Sequence, residues 1–168
     1  MKKLPYKSLF CVSFFLTLLF PVFGQVENSS AIEGPTAAEI ELLLNEPAIT
    51  YRQAAWFTLI TAIDEFATGI EAYVSEHAFV EAWDKGWFDK DAEREAFITM
   101  AGLSYLMMNA FDIKGGLMYR LFKTPRNAYR ELKNMGYISG DVSANQTVSG
   151  EQFFQILGSV ANGGSGEI

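Results

Sequence analysis

Ala128-Tyr129-Arg130-Glu131-Leu132, then Gly136-Tyr137-Ile138-Ser139-Gly140, then Val148-Ser149-Gly150-Glu151-Gln152-Phe153: this stretch decides the fold, because the chain carries its pattern twice. Fifty residues earlier, without a gap, Ala78-Phe79-Val80-Glu81 stands against Ala128-Tyr129-Arg130-Glu131, Gly86-Trp87-Phe88 against Gly136-Tyr137-Ile138, and Asp91 against Asp141. Ile98-Thr99 meets Val148-Ser149, and Leu103, Leu106, Met107 and Ala110 meet Phe153, Ile156, Leu157 and Val160. Only four positions are identical (Ala78, Glu81, Gly86 and Asp91), so identity alone decides little. The order of the matches decides more: apolar helix face, glycine stop, loop aspartate, cap hydroxyl, second apolar face. Self-similarity at a fixed period of about fifty residues predicts a repeated helix–loop–helix unit. Two copies, 78–110 and 128–160, are clear. A fainter third precedes them, since Ile49-Thr50, Ala54 and Phe57 stand forty-nine residues before Ile98-Thr99, Leu103 and Leu106.

Outward from these copies, the start of the chain has the form of an export signal. Lys2, Lys3 and Lys7 precede an apolar run over 9–19, and Val22-Phe23-Gly24 offers a small-residue cleavage site. The run is interrupted by Ser13 and ends at Pro21, short for a span of about 20 residues. The expected organisation is a signal peptide at 1–24, a flexible lead at 25–36, one helical repeat domain at 37–160 and a disordered tail at 161–168. After cleavage, 168 minus 24 leaves 144 residues, enough for one compact domain, with no integral membrane span. The only cysteine, Cys11, leaves with the signal, which excludes disulfides, thiol catalysis and cysteine metal sites. Three of thirteen basic residues leave as well, so the formal charge moves from -7 to 10 minus 20, or -10. Such acidity argues against nucleic acid as a partner and fits an exported protein of the bacterial periplasm or cell surface.

Helix signals punctuate the rest. Thr50, Thr99 and Ser149 are cap hydroxyls, Thr124-Pro125 pairs a cap with proline at the first helical position, and Gly86 and Gly136 are stops. The helix from Ala92 or Thr99 to Phe111 is apolar nearly all round, which marks it as central, with its methionines buried. No sustained period-two alternation occurs, so the predicted class is all-α, with strands at most short pieces around Trp87-Phe88 or Tyr137-Ile138.

The catalytic inventory is thin. His77 is the sole histidine and no Gly-x-Ser-x-Gly elbow is present. Asp141-x-Ser143-x-Asn145-x-Thr147 has the alternating oxygens of a calcium loop, but Gln146 stands where glycine is needed and Gln152 where a bidentate glutamate is needed. No metal site, cofactor or enzymatic activity is expected. Charge placement is more informative. Six of the ten basic residues outside the signal fall in one segment: Lys114, Arg120, Lys123, Arg126, Arg130 and Lys133, interleaved with Tyr119, Phe122 and Tyr129. Arginine forks suit carboxylates and phosphates. Either this segment pairs internally with the acidic first half of the domain, or it contacts an anionic envelope polymer, a lipid headgroup or a periplasmic protein partner. The competing expectation is a small-molecule or lipid carrier with an apolar cavity around the methionine-rich helix.

The lead helix, the Gly136-Tyr137-Ile138-Ser139-Gly140 turn, the polar loop and the hydroxyl-capped Val148-Ser149-Gly150-Glu151-Gln152-Phe153 helix together resemble an S-layer homology (SLH) repeat. The resemblance covers 37–160 in three units, the last being the clearest. It implies a domain of helix–loop–helix copies in the cell envelope. The family's second helix usually opens Thr-Arg-Ala-Glu, whose arginine helps to hold cell-wall polysaccharide; here the positions read Ser149-Gly150-Glu151-Gln152 and Thr99-Met100-Ala101-Gly102. The arginine is absent from both, so the fold carries over more readily than the glycan site, with Arg126 or Arg130 as the only substitutes. The chain is also similar to small exported proteins of spirochaetes, a likeness that transfers no residue roles.

Overall fold

The computed structural model describes residues 35–62 and 75–163. The expected signal peptide, the lead up to residue 34, the break at Gly69 and the tail beyond residue 163 lie outside the described residues. Among the described residues the chain forms helices and no strand.

The helix starts at Ala37, Tyr51, Met100, Pro125 and Gly150 are each explained by a local device. Thr36, expected to end the lead, caps α1 (Ala37–Leu44): its hydroxyl accepts from the Glu39 N–H at 3.3 Å while the Glu39 carboxylate accepts from the Thr36 N–H at 2.8 Å. Thr50 and Gln53 repeat this reciprocal box at the start of α2 (Tyr51–Ala62), at 3.3 and 2.8 Å. Thr99 caps α4 (Met100–Ala110) through the Gly102 N–H, Thr124 with Pro125 opens α6 (Pro125–Asn134), and Ser149 with Gln152 opens α7 (Gly150–Ala161). Of the two starts weighed for the central helix, the structure takes Thr99. Residues 89–97 form turns instead.

The helix stops at Gly86 and Gly136 share one geometry. After α3 (Ser75–Asp84), Gly86 adopts φ +70, its N–H donates to Trp83 O at 2.9 Å, and the Trp87 N–H donates to Ala82 O at 2.9 Å. After α6, Gly136 adopts φ +82, its N–H donates to Lys133 O at 3.1 Å, and the Tyr137 N–H donates to Leu132 O at 3.0 Å. Both are Schellman closures, in which a left-handed residue lets two free helix carbonyls find donors. Each turns the next two residues onto the body, so that Phe88 and Ile138 are buried while Trp87 and Tyr137 are half-buried. Phe88 meets Tyr51 edge-on and Phe79 in a stack, both at 5.2 Å between centroids.

At the middle, three backbone bonds close a ring. The Ile49 N–H donates to Val148 O at 2.9 Å, the Ile98 N–H to Ile49 O at 2.9 Å, and the Val148 N–H to Ile98 O at 3.1 Å. All three residues are fully buried, and each directly precedes a cap hydroxyl. Around the ring, loops satisfy the first amides of helices they do not belong to. Tyr51 and Arg52 N–H donate to Ala96 and Arg94 O, both at 3.1 Å, Met100 and Ala101 N–H to Gln146 and Ala144 O, both at 2.8 Å, and the Gly150 N–H to Glu46 O at 3.0 Å. Four amides at each helix start lack an internal partner. Here the first ones bond a neighbouring loop and the third bonds the cap side chain. Among the described residues the only extended pairings are the isolated bridges Thr50 with Phe97 and Thr99 with Thr147, at the ring and not around Trp87-Phe88 or Tyr137-Ile138, where short strand pieces were expected at most.

Packing follows. α4 lies against α6, α2 and α7, with Met100, Leu103, Leu106, Met107 and Met108 buried. α2 also packs on α3 and α7, α1 on α7, and the short α5 (Leu117–Leu121) on α6. Gly150 lies so close to the Leu43 carbonyl that the two backbones touch where a side chain would stand.

Candidate functional site

The basic segment does not form one surface; it divides between two clefts. The larger, about 730 Å³, lies where the end of α3, the end of α4 and α5 come together. Lys114, Arg120 and Lys123 bring three cations to its wall and Tyr119 an aromatic ring, and a fourth cation, Lys85, arrives with Trp87 from the turn after α3. Among the described residues Asp112 is the only acid lining it. The smaller cleft, about 350 Å³, lies between α6 and the 143–145 loop and is lined by Arg126, Tyr129, Arg130, Ser143 and Asn145. Lys133 lines neither; its Nζ sits 3.3 Å from the Tyr129 hydroxyl and 5.7 Å over that ring.

Lys85 and Trp87 were missed by sequence reasoning. Nothing near Lys85 in the chain ties it to 114–123; the tie is the Schellman turn at Gly86, which sets Lys85 and Trp87 side by side, with Nζ 5.7 Å from the ring centre. Lys85 also reaches Glu81 one turn back at 3.4 Å.

Internal pairing with the acidic half accounts for little of this charge. Among the described residues, Lys114 pairs with Asp112 at 2.5 Å, while Arg120, Lys123, Arg126, Arg130 and Lys133 have no carboxylate within 4.0 Å. Lys114 holds the Asp112 carboxyl below its usual range, first by hydrogen bond and then by charge, with Lys123 adding to the effect. The remaining cations are exposed, and their charge is available to a partner.

Tyr119 forms the floor of the larger cleft and is buried. Its hydroxyl has no hydrogen-bond partner of normal geometry among the described residues. Burial pushes its pKa up to about 12, Tyr105 adds to the rise, and the nearby Asn109 opposes it. The Asn109 amide donates to the Tyr105 carbonyl at 2.7 Å and lies beside the Tyr119 hydroxyl.

The calcium-like loop has a structural task. The Ala144 and Gln146 carbonyls bond the first amides of α4, and Val142 O accepts the Tyr129 hydroxyl. His77 is exposed on α3. Among the described residues no group of three or more His, Cys, Asp or Glu is placed to hold a metal ion, and no helix is long and apolar enough to cross a membrane. The positions where the SLH resemblance puts an arginine are closed: Gly150 is pressed on Leu43 O, and Met100 is buried. No family model, curated protein or solved structure matches the chain.

Proposed function

We propose that this chain is an exported, non-enzymatic binding or scaffolding module of the bacterial cell envelope that holds an anionic polymer on its 114–133 segment. The carrying observation is the cleft of about 730 Å³ lined by Lys85, Lys114, Arg120 and Lys123 with Asp112 as the one acid among the described residues, in a chain whose formal charge is -7. Four cations are concentrated there against the overall charge and beside aromatic rings. Lys85 and Lys114 each have one carboxylate partner, while Arg120 and Lys123 have none among the described residues, an arrangement that suits the carboxylates or phosphates of a polyanion. The sequence at 1–24 supports export. For the architecture, we read the domain as three helix–loop–helix copies of about fifty residues in an SLH-like arrangement. The closed ring through Ile49, Ile98 and Val148 and the paired Schellman closures at Gly86 and Gly136 support that reading.

The test is retention on purified peptidoglycan, on isolated anionic envelope polymer and on periplasmic extract, comparing the wild type with a variant carrying Arg120→Glu, Arg126→Glu and Arg130→Glu. The variant is expected to lose retention on the polymer. Equal retention of both would remove the basic segment from the function.

A further inference from the structure

We propose that α5 is a surface anchor that docks the domain onto an anionic lipid bilayer through Leu117, Met118, Leu121 and Phe122. These side chains are 71%, 57%, 63% and 59% exposed. No other helix among the described residues displays more than two large apolar side chains. Single exposed apolar residues are ordinary on a soluble surface, whereas a contiguous set marks a contact. The four lie within about 140° of the helix circumference. The arrangement is held in place, since Tyr119 is buried on the other side of the same turn. Its ring lies over Gly115, where a Cβ would stand 2.7 Å from a ring carbon, so glycine is what lets the tyrosine seat.

Charge identifies the occupant. Lys114, Arg120 and Lys123 are exposed around the apolar face, and Asp112, the acid beside them, is already paired with Lys114. A second copy docking through the same patch would bring these cations against their own counterparts, because a two-fold contact pairs like surface with like. An apolar groove on a protein partner would take the four side chains but leave the cations unused. An anionic bilayer satisfies both, with the apolar side chains at the acyl boundary and the lysines and arginine at the headgroups. Contact is with the surface, as no described helix is long and apolar enough to span. The inference shares Lys114, Arg120 and Lys123 with the larger cleft and adds the apolar face of α5, which polymer binding does not use.

The experiment follows hydrogen exchange of the amides of 117–122 in the full chain, with and without phosphatidylglycerol-rich vesicles. Local protection is the deciding readout, since the apolar run at 9–19 would itself hold the chain to any bilayer. Vesicles are expected to slow these amides, and Leu121→Ser with Phe122→Ser to abolish the slowing and lower α5-dependent partition at least about tenfold. Leu42→Ser, on an exposed position of α1, is expected to change nothing. This pair of serines leaves every cation in place, so polymer retention persists in the variant and the two readings fail separately. Unchanged exchange at 117–122 overturns the inference. So does equal protection by phosphatidylcholine vesicles, or protection that depends on protein concentration without lipid, which would assign the face to a second copy.

Discussion

The Ile98 N–H donates to the Ile49 carbonyl at 2.9 Å, joining two fully buried residues forty-nine positions apart. Val148 completes the circuit, so three distant segments are tied to one another by their main chains and none of the bonds reaches solvent. A closed circuit cannot open one bond without disturbing the packing of the other two segments. The Ile49, Ile98 and Val148 amides are therefore expected to exchange only through global unfolding, with a common free energy. Native-state hydrogen exchange across a denaturant series measures this. A sub-global opening at any one of the three would show that the ring does not act as a unit.

Gly150 and Gly158 share α7 and predict opposite signs. A Cβ at Gly150 would run into the Leu43 carbonyl, main chain that cannot rotate away, whereas a Cβ at Gly158 meets nothing within 4 Å. Gly150→Ala is expected to destabilise by about 1–3 kcal/mol or more through overpacking. Gly158→Ala is expected to stabilise by about 0.5–1 kcal/mol by restricting the unfolded chain in a helix interior. Chemical denaturation of the two single variants checks both, and a Gly150→Ala protein as stable as the wild type would remove the Leu43 contact from the argument.

Gly86 and Gly136 meet nothing where a Cβ would stand, so an alanine at either has only the left-handed backbone to resist it. Each substitution is expected to cost about 1–2 kcal/mol, and the two costs should agree because the closures are the same. Asparagine, which tolerates this conformation, should cost less at both. Thermal midpoints of the four variants decide; unequal losses would mean that the two turns bear different loads.

These predictions separate what the sequence disclosed from what it withheld. Thr50, Thr99, Thr124-Pro125, Ser149, Gly86 and Gly136 were legible because a cap or a left-handed stop is decided within about five residues of chain. The ring was not legible, since nothing local in Ile49 or Val148 says which distant carbonyl its N–H will find. Gly150 was legible only as a missing arginine; that Leu43 stands in the way needs α1 packed on α7. The candidate site divided in the same manner. Lys114, Arg120, Lys123, Arg126 and Arg130 were found as a run of charge, but the split into two clefts and the arrival of Lys85 and Trp87 follow from how α3, α4 and α6 are arranged. The exposed face of α5 was not legible for a related reason: nothing in the sequence says that, of residues 117–122, Tyr119 turns inward while Leu117, Met118, Leu121 and Phe122 stay exposed.

Tyr119 gives the alkaline limb of stability. Its hydroxyl is neutral in both folded and unfolded chain below pH 10, and burial contributes in full there. As pH rises past 10.0, the ordinary value for tyrosine, the unfolded chain ionises first, while the folded group, held at about 12, keeps its proton. Stability is therefore lost through the window from about pH 10 to 12. Tyr51, also raised by burial, adds to the same loss. Tyr119→Phe is expected to flatten part of that decline. At pH 7 it should be neutral or stabilising by up to about 1 kcal/mol, because the hydroxyl it removes has no partner of normal geometry. Urea titrations of both proteins at pH 7 and pH 11 measure the difference, and parallel curves at the two values would sink the assignment.

The two clefts make separable demands on a polyanion. Lys85, Lys114, Arg120 and Lys123 line one, and Arg126 and Arg130 the other, with no lining residue in common. Lys85→Gln with Arg120→Gln, and Arg126→Gln with Arg130→Gln, are each expected to weaken binding of a phosphate-bearing envelope polymer about threefold to tenfold, the range for two exposed charges. If one chain of polymer runs through both clefts, the fourfold variant should lose the product of the two factors, since independent sites add in free energy. The loss should also shrink as salt rises, because exposed charges separated by more than about 10 Å are screened at 0.1 M. Titration of the three variants at low and high ionic strength reads all of this. If the first pair alone removes all binding and the second pair adds nothing, the cleft floored by Tyr119 is the site and the one beside Tyr129 is a surface hollow.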